Sequence, residues 1–263
     1  TPMSFTAKDV QNLRQATGAG MMDAKRALEE CGGDFDAAAK ALREKGLAKS
    51  ADRADRDNSQ GAVAVGRNDS VAAVVQLKCE TDFVAKSDQF LAVLDELLQA
   101  VLAGGGADAV ADKVDDLKVT LKENIEVGDI KSVPIGAGQG VDTYLHKQEG
   151  RGVNGVVVVL EGGDDALAHE VAVSAAFSKP KYLTRDEVPQ AEADAERDTL
   201  EGITRAEGKP EQAIAKIVEG RLNAWYKERV LLEQAYAKDD KQSITDLLGG
   251  ATIAGFAQIY IGS

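Results

Sequence analysis

The strongest constraint on this chain is an order of elements that occurs twice: apolar runs reading as a strand hairpin, then helical periodicity. Gly61–Gly66 and Val71–Leu77 flank Arg67-Asn68-Asp69-Ser70, four residues suited to a tight turn. Phe83, Ser87, Phe90, Leu94 and Leu97 follow near one helical face. Beyond the Gly104-Gly105-Gly106 loop, residues 107–124 read as another helix. Residues 127–145 give short strand-like pieces, Ile130–Ile135 and Val141–Leu145, and Val153–Leu160 is the most strongly β segment. Ala166–Phe177 is an apolar helix after it. This order predicts an α+β fold, and its recurrence hints at a duplicated unit. Pro189–Glu207 and Glu211–Trp225 read as two helices broken at Gly208-Lys209-Pro210, the pattern of an antiparallel helical hairpin. A short helix at 243–248 and a strand at Ile253–Ile261 are expected after it.

Ahead of the core lie three short helices. Thr6-Ala7-Lys8-Asp9 resembles a capping box, with Val10, Leu13 and Thr17 at helical spacing behind it. Gly18-Ala19-Gly20 breaks that helix, and Met21, Ala24, Ala27 and Leu28 share one side of the next. Gly32-Gly33 ends it, Asp34 is placed to cap, and Phe35, Ala38, Ala39 and Leu42 form a third stripe. So small a module buries little area and is expected to leave an apolar docking patch. From Lys49 to Asp57 acid and base alternate, and the i, i+4 pairs Asp52–Arg56 and Arg53–Asp57 predict a solvated helical linker.

Charge separates head from body. The formal net charge is −13, but residues 1–56 carry 10 basic and 9 acidic side chains, so the acidity lies almost wholly beyond them. Such a balance argues against nonspecific binding to phosphate backbones. No segment has the run of about 18 apolar residues that a membrane span needs. A secretory start is not apparent, Met3 after Thr1-Pro2 reads as the natural start, and a cytoplasmic location is expected. Two cysteines, Cys31 and Cys79, make no disulfide framework and read as small buried hydrophobes.

Catalytic chemistry is poorly supported. His146 and His169, the two histidines, sit in different elements without Cys or carboxylate at metal-ligand spacing. Gly136-Ala137-Gly138-Gln139-Gly140 resembles a phosphate loop but lacks both the third dinucleotide-spaced glycine and a Lys-Ser/Thr, so a turn is the better reading. No cofactor or metal is expected.

One segment stands out: Cys79-Glu80-Thr81-Asp82-Phe83-Val84-Ala85-Lys86, at a passage from strand to helix. On one reading Thr81 caps the helix, Asp82 favours its dipole and Phe83 joins Phe90 in the core stripe. On the other, Asp82 and Phe83 project at the tip as a charged and aromatic pair that anchors an interface.

These residues carry a resemblance. Leu13 to Leu28 (LRQATGAGMMDAKRAL) resembles the first signature of the bacterial elongation factor Ts family, and Cys79 to Lys86 its second. Val218-Glu219-Gly220-Arg221-Leu222 through Leu231-Leu232-Glu233-Gln234 is similar to a third stretch, so three motifs in order span almost the whole chain. The resemblance implies a ubiquitin-associated-like helical head (3–48), a linker (49–60) and a two-part α+β core with antiparallel sheets. Its halves are expected at 61–145 and 146–263, with a protruding helical hairpin at about 188–226. It also implies a guanine-nucleotide exchange factor, not a covalent catalyst, whose partner is elongation factor Tu, GDP-bound and nucleotide-free, without direct nucleic-acid contact. On the motif match, Arg14, Met21, Met22 and Lys25 dock the head, although Met21 also fits the head's own core. Thr81, Asp82, Phe83 and Val84 form a wedge between two helices of the partner, beside its Mg2+ and phosphate pocket. The second core half would grip another domain of the partner, in a 1:1 or 2:2 complex.

Some positions depart from the family pattern. Gln76 and Lys78 replace the usual Glu and Asn, which bears on how the wedge strand is supported. Ser50, Asp52, Asp55 and Asp57 stand where relatives have Ala or basic residues, and Ala235 where Pro is common. The alternative function is an adaptor that binds its partner without driving exchange; an enzyme on the duplicated core comes third.

Overall fold

The computed structural model describes residues 5–262, so the Met3 reading lies outside the described residues. Three helices form the head: α1 (Ala7–Thr17), α2 (Met21–Glu30) and α3 (Phe35–Ala51). Thr6 and Asp9 make the expected capping box, Gly18 closes α1 in the left-handed region (φ 67°), and Asp34 caps α3. Val10, Leu13, Ala24, Ala27, Leu28, Ala38 and Leu42 fill the head's core. Three members of the expected stripes stay outside it: Thr17 is half-buried, and Phe35 and Met21 are exposed, the latter 48%.

The linker is not a solvated helix with internal ion pairs. α3 runs on to Ala51, and a series of turns follows. Arg53 donates through Nη2 to the Lys118 carbonyl (2.9 Å), and Arg56 pairs with Glu80 (3.6 Å). Both cations thus face the core instead of Asp57 and Asp52.

The core is two antiparallel three-stranded sheets, as the α+β reading requires. β1 (Gln60–Arg67), β2 (Val71–Cys79) and β3 (Glu126–Pro134) form the first, with β2 central. β4 (Gly140–Gln148), β5 (Arg151–Glu161) and, after the two-stranded β6 (Ala235–Tyr236) and β7 (Asp239–Ser243), β8 (Thr252–Tyr260) supply the second, with β5 central. β4 pairs with β5, not with the first sheet, so the sheets part in the loop 135–139, short of the expected break at 145/146. The helix expected from Phe83 to Leu97 is two: α4 (Asp82–Ala85) and α5 (Asp88–Leu102). A 3-10 turn at 107–110 leads into α6 (Ala111–Leu121). α7 (Asp165–Ser178), α8 (Gln190–Ala206), α9 (Glu211–Arg229) and α10 (Ile244–Leu248) follow.

Strand alternation builds four layers. Ala73, Val75 and Leu77 of β2 face α5 and α6, while Ala72 and Val74 face the second sheet. On β5, Val157 and Val159 meet the first sheet, and Val156, Val158 and Leu160 pack on α7 and α10. Both faces of each central strand are therefore dry, which is why their sequences read as continuous apolar runs. The repeat is real at the level of topology: hairpin, helices, then a third strand beside the second. The second copy carries α8 and α9 inserted before its third strand. These pack as the expected hairpin, joined where Arg221 donates to Thr204 Oγ1 (3.1 Å) and Glu207 (2.7 Å). Among the described residues no helix is long and apolar enough to cross a membrane.

Candidate functional site

β2 ends on Cys79, which is fully buried, and two residues later the chain turns into α4. Glu123, in the loop before β3, organises that turn. Its Oε2 accepts from the Glu80 and Thr81 amides (3.0 and 3.1 Å), and its Oε1 from the Thr81 hydroxyl (2.6 Å). Thr81 Oγ1 in turn accepts from the Val84 amide (3.3 Å), so the helix is capped as expected. Glu80 accepts from the Asn124 amide (2.7 Å), and Asn124 Nδ2 donates to the carbonyls of Ala54 and Arg56 in the linker. The departure at Gln76 has a local role: it sits at the β2–β3 bulge and accepts from the Asp129 amide (3.3 Å).

A four-residue helix cannot bury all its side chains. Ala85 is buried and Val84 packs on the first core cluster, while Phe83 is left 79% exposed. The reading that joined Phe83 to the stripe of Phe90 is therefore corrected. Ser87 ends α4 and caps α5, so the two rings lie on separate helices; Phe90 is fully buried. Asp82 points its carboxylate at Lys86 (2.7 Å), whose ammonium also holds Glu149 (2.6 Å) from the β4–β5 turn and lies 5.5 Å from the Phe83 ring centre. The Lys86 hydrogen bond holds the Asp82 carboxyl below its usual range, and the two carboxylates push Lys86 up. Burial, reinforced by the charge of Glu123, pushes the Cys79 thiol up to about 12. The result is a rigidly seated tip presenting one aromatic ring beside a paired carboxylate.

The head presents its own patch. Met21 and Met22 (67% exposed) open α2, and Lys25 one turn on pairs with Glu29 (3.7 Å). Arg14 is exposed on α1. Among the described residues no hydrogen bond or ion pair joins these four to the wedge four; they form two separate groups. The head is nevertheless seated on α6, through Arg43 to Asp116 (2.8 Å) and where Gly46 lets Val119 approach its backbone.

Glu123 and Glu149 carry no signal in the sequence, since loop carboxylates in an acidic chain show no pattern. Phe177, expected as the last apolar residue of a helix, is 81% exposed at the end of α7. The other candidates remain unremarkable. His169 Nδ1 sits 3.2 Å from Asp142, with its ring edge-on to Tyr144. The Gly136–Gly140 segment is the sheet-to-sheet connection, closed by the Gly136 amide on Gln139 (2.7 Å). Cys31 is only partly buried. Among the described residues no cluster of three or more His, Cys, Asp or Glu could hold a metal.

Comparison with known proteins bears on this arrangement. The family profile described as "Elongation factor TS" matches residues 80–263. The chain is 41% identical to elongation factor Ts of Leifsonia xyli subsp. xyli and to that of Clavibacter michiganensis subsp. michiganensis, over 99% of each chain. It is also 41% identical to that of Acidothermus cellulolyticus, over 98% of this chain and 99% of the other.

Proposed function

The chain belongs to the elongation factor Ts family, a family of translation elongation factors, and on that premise we propose that it accelerates GDP release from elongation factor Tu. The observation that carries this reading is Phe83: 79% exposed, beside Asp82, on a four-residue helix braced by Glu123 and Lys86. A ring left in water on a rigid mount costs little to present and gains its burial energy only in a complex. That gain is about 1.5–3 kcal/mol for a fully buried side chain of this size. Met21, Met22, Arg14 and Lys25 give the head a second point of attachment, so the wedge is delivered in a fixed orientation.

The energetics need no nucleotide site on this chain. Exchange factor and nucleotide each lower the other's affinity for the shared partner by the same factor. Nucleotide is held by Mg2+ and by a cradle of backbone amides, both sensitive to small displacements of the helices that carry them. A wedge that moves those helices weakens the bound state and speeds dissociation, with no bond made or broken.

The test is release of fluorescent GDP from purified elongation factor Tu by stopped flow. The wild-type chain at micromolar concentration accelerates release. Asp82→Ala with Phe83→Ala lowers that acceleration at least tenfold while the thermal midpoint moves little. Complex formation with an unchanged nucleotide off-rate would establish the adaptor reading instead. A collapse of the midpoint in the double variant would mean that the loss of exchange reflects unfolding and not the missing side chains.

A further inference from the structure

We propose that the cleft between head and core is a binding site for a small phosphate-bearing anion. A cavity of about 230 Å3 opens there, walled by Gly20, Asp23, Lys45 and Lys49 from the head and by Arg53 and Lys122 from the linker and core side. Four cations therefore surround one carboxylate, in a chain whose overall charge is −13. Asp23 is already engaged by Lys45 (3.4 Å), and among the described residues neither Lys49 nor Lys122 makes an ion pair. The charge inside the cleft is opposite in sign to the net charge of the chain.

Arg53 is held in place at the edge of this cleft. Its Nη2 donates to the Lys118 carbonyl, but its Nε is buried without an acceptor. Buried donors are normally paired, so each exception calls for a reason. Two other such atoms are described, and both have other surroundings. The Arg229 guanidinium lies over the Trp225 ring (4.5 Å), and Gln258 is fixed in the second sheet by donating to Asn154 and to the Ala175 carbonyl. Arg53 lines the cavity, where a bound anion meets the open part of its guanidinium and not the enclosed Nε. The α2 N-terminus, whose cap Gly20 brings no side-chain acceptor, borders the same space and adds its positive end.

Size and chemistry narrow the ligand. The volume lies below the roughly 300–1,000 Å3 usual for organic ligands, and suits inorganic phosphate or pyrophosphate better than a whole nucleotide. Tetrahedral oxyanions take charge-assisted hydrogen bonds from Lys and Arg arranged around them. Because the walls belong to different units, an occupied cleft pins the head to the core. The proposal does not depend on the exchange role: none of the wedge or head-docking residues lines the cavity.

Titration of the full-length chain with pyrophosphate, by calorimetry in about 0.15 M chloride, tests this. The expected result is saturable binding with Kd below about 1 mM, weakened at least tenfold by Lys49→Gln with Lys122→Gln. Both lysines are exposed, and circular dichroism checks that the double variant is folded. Lys227→Gln with Lys241→Gln removes the same charge from a different groove and leaves binding unchanged. Absence of saturable binding, or equal weakening by the two double variants, overturns the proposal, the latter by reducing it to diffuse attraction.

Discussion

Within five positions the chain holds two side chains with opposite relations to water, Cys79 and Phe83. The thiol is sealed beneath the wedge, donating to the Thr81 carbonyl (3.2 Å), and its ionisation is pushed up to about 12. An unfolded thiol ionises near about 8.5. Below that pH both states are neutral and the buried thiol contributes its full stabilisation. As pH rises toward 12, only the unfolded state loses its proton, so stability falls. Tyr182 and Tyr236, held up by hydrogen bonds to Glu192 and Glu170, act with the same sign at higher pH. The expected outcome is a urea midpoint that declines between about pH 8.5 and 10.5, with Cys79→Ala flattening the decline. A midpoint that stays level in the wild type contradicts it. Thiol labelling of the native chain at pH 8 should count one cysteine, the partly exposed Cys31, and the second only after unfolding.

At the scale of elements, the α4 tip proposed as the wedge depends on residues outside it. Three hydrogen bonds converge on Glu123 from the Glu80–Thr81 turn, and hydrogen bonds to charged groups contribute about 1.5–3 kcal/mol each, with less than additive sums. Glu123→Ala is expected to cost about 2–3 kcal/mol in chemical denaturation and to speed amide exchange at Glu80 and Thr81 selectively. Uniform loss of protection across the first sheet would mean that Glu123 supports the core at large. This bracing explains what could be read beforehand. Strands β1, β2 and β5, the capping box at Thr6 and the hairpin of α8 and α9 follow from local apolar pattern and breakers, and local pattern is what a sequence displays. The break between α4 and α5 is hidden in the sequence because Phe83, Phe90, Leu94 and Leu97 keep helical spacing across it. The interruption comes from Ser87 taking up the Val84 carbonyl (2.8 Å) and capping the next helix. Sequence spacing pairs the linker's cations with near neighbours because their true partners, the Lys118 carbonyl and Glu80, lie far along the chain. Lys86 holds Glu149 over a separation of 63 positions, which no periodicity announces.

For the whole molecule, the decisive contact is sheet against sheet. The wedge and its braces belong to the first sheet, Glu149 to the second, and the head rests on α6 of the first; a partner feels them as one body only if the sheets do not slide. Their interface is made close by glycine. A Cβ on Gly155 of β5 would stand 2.6 Å from Val65 Cγ1 and 2.8 Å from both Val63 Cγ1 and Val74 Cγ2. The backbone there is outside the left-handed region, so the crowding is the whole effect of adding a methyl group. Overpacking of this kind costs about 1–3 kcal/mol, occasionally more. Gly155→Ala is therefore expected to lower the denaturation midpoint and to disturb the Lys86–Glu149 contact without touching either residue. Val65→Ala, which removes the nearest obstacle, costs stability alone by loss of packing. In combination it should relieve part of the clash, since the Val63 and Val74 methyls remain at 2.8 Å, so the double variant loses somewhat less than the sum of the singles. A double-mutant cycle reads that coupling. Strict additivity would mean that the second sheet shifts as a body to admit the methyl group. In that case, if the proposed exchange role holds, the exchange rate of Gly155→Ala should fall further than its stability does, because the α4 tip would then be presented at a changed angle to the head.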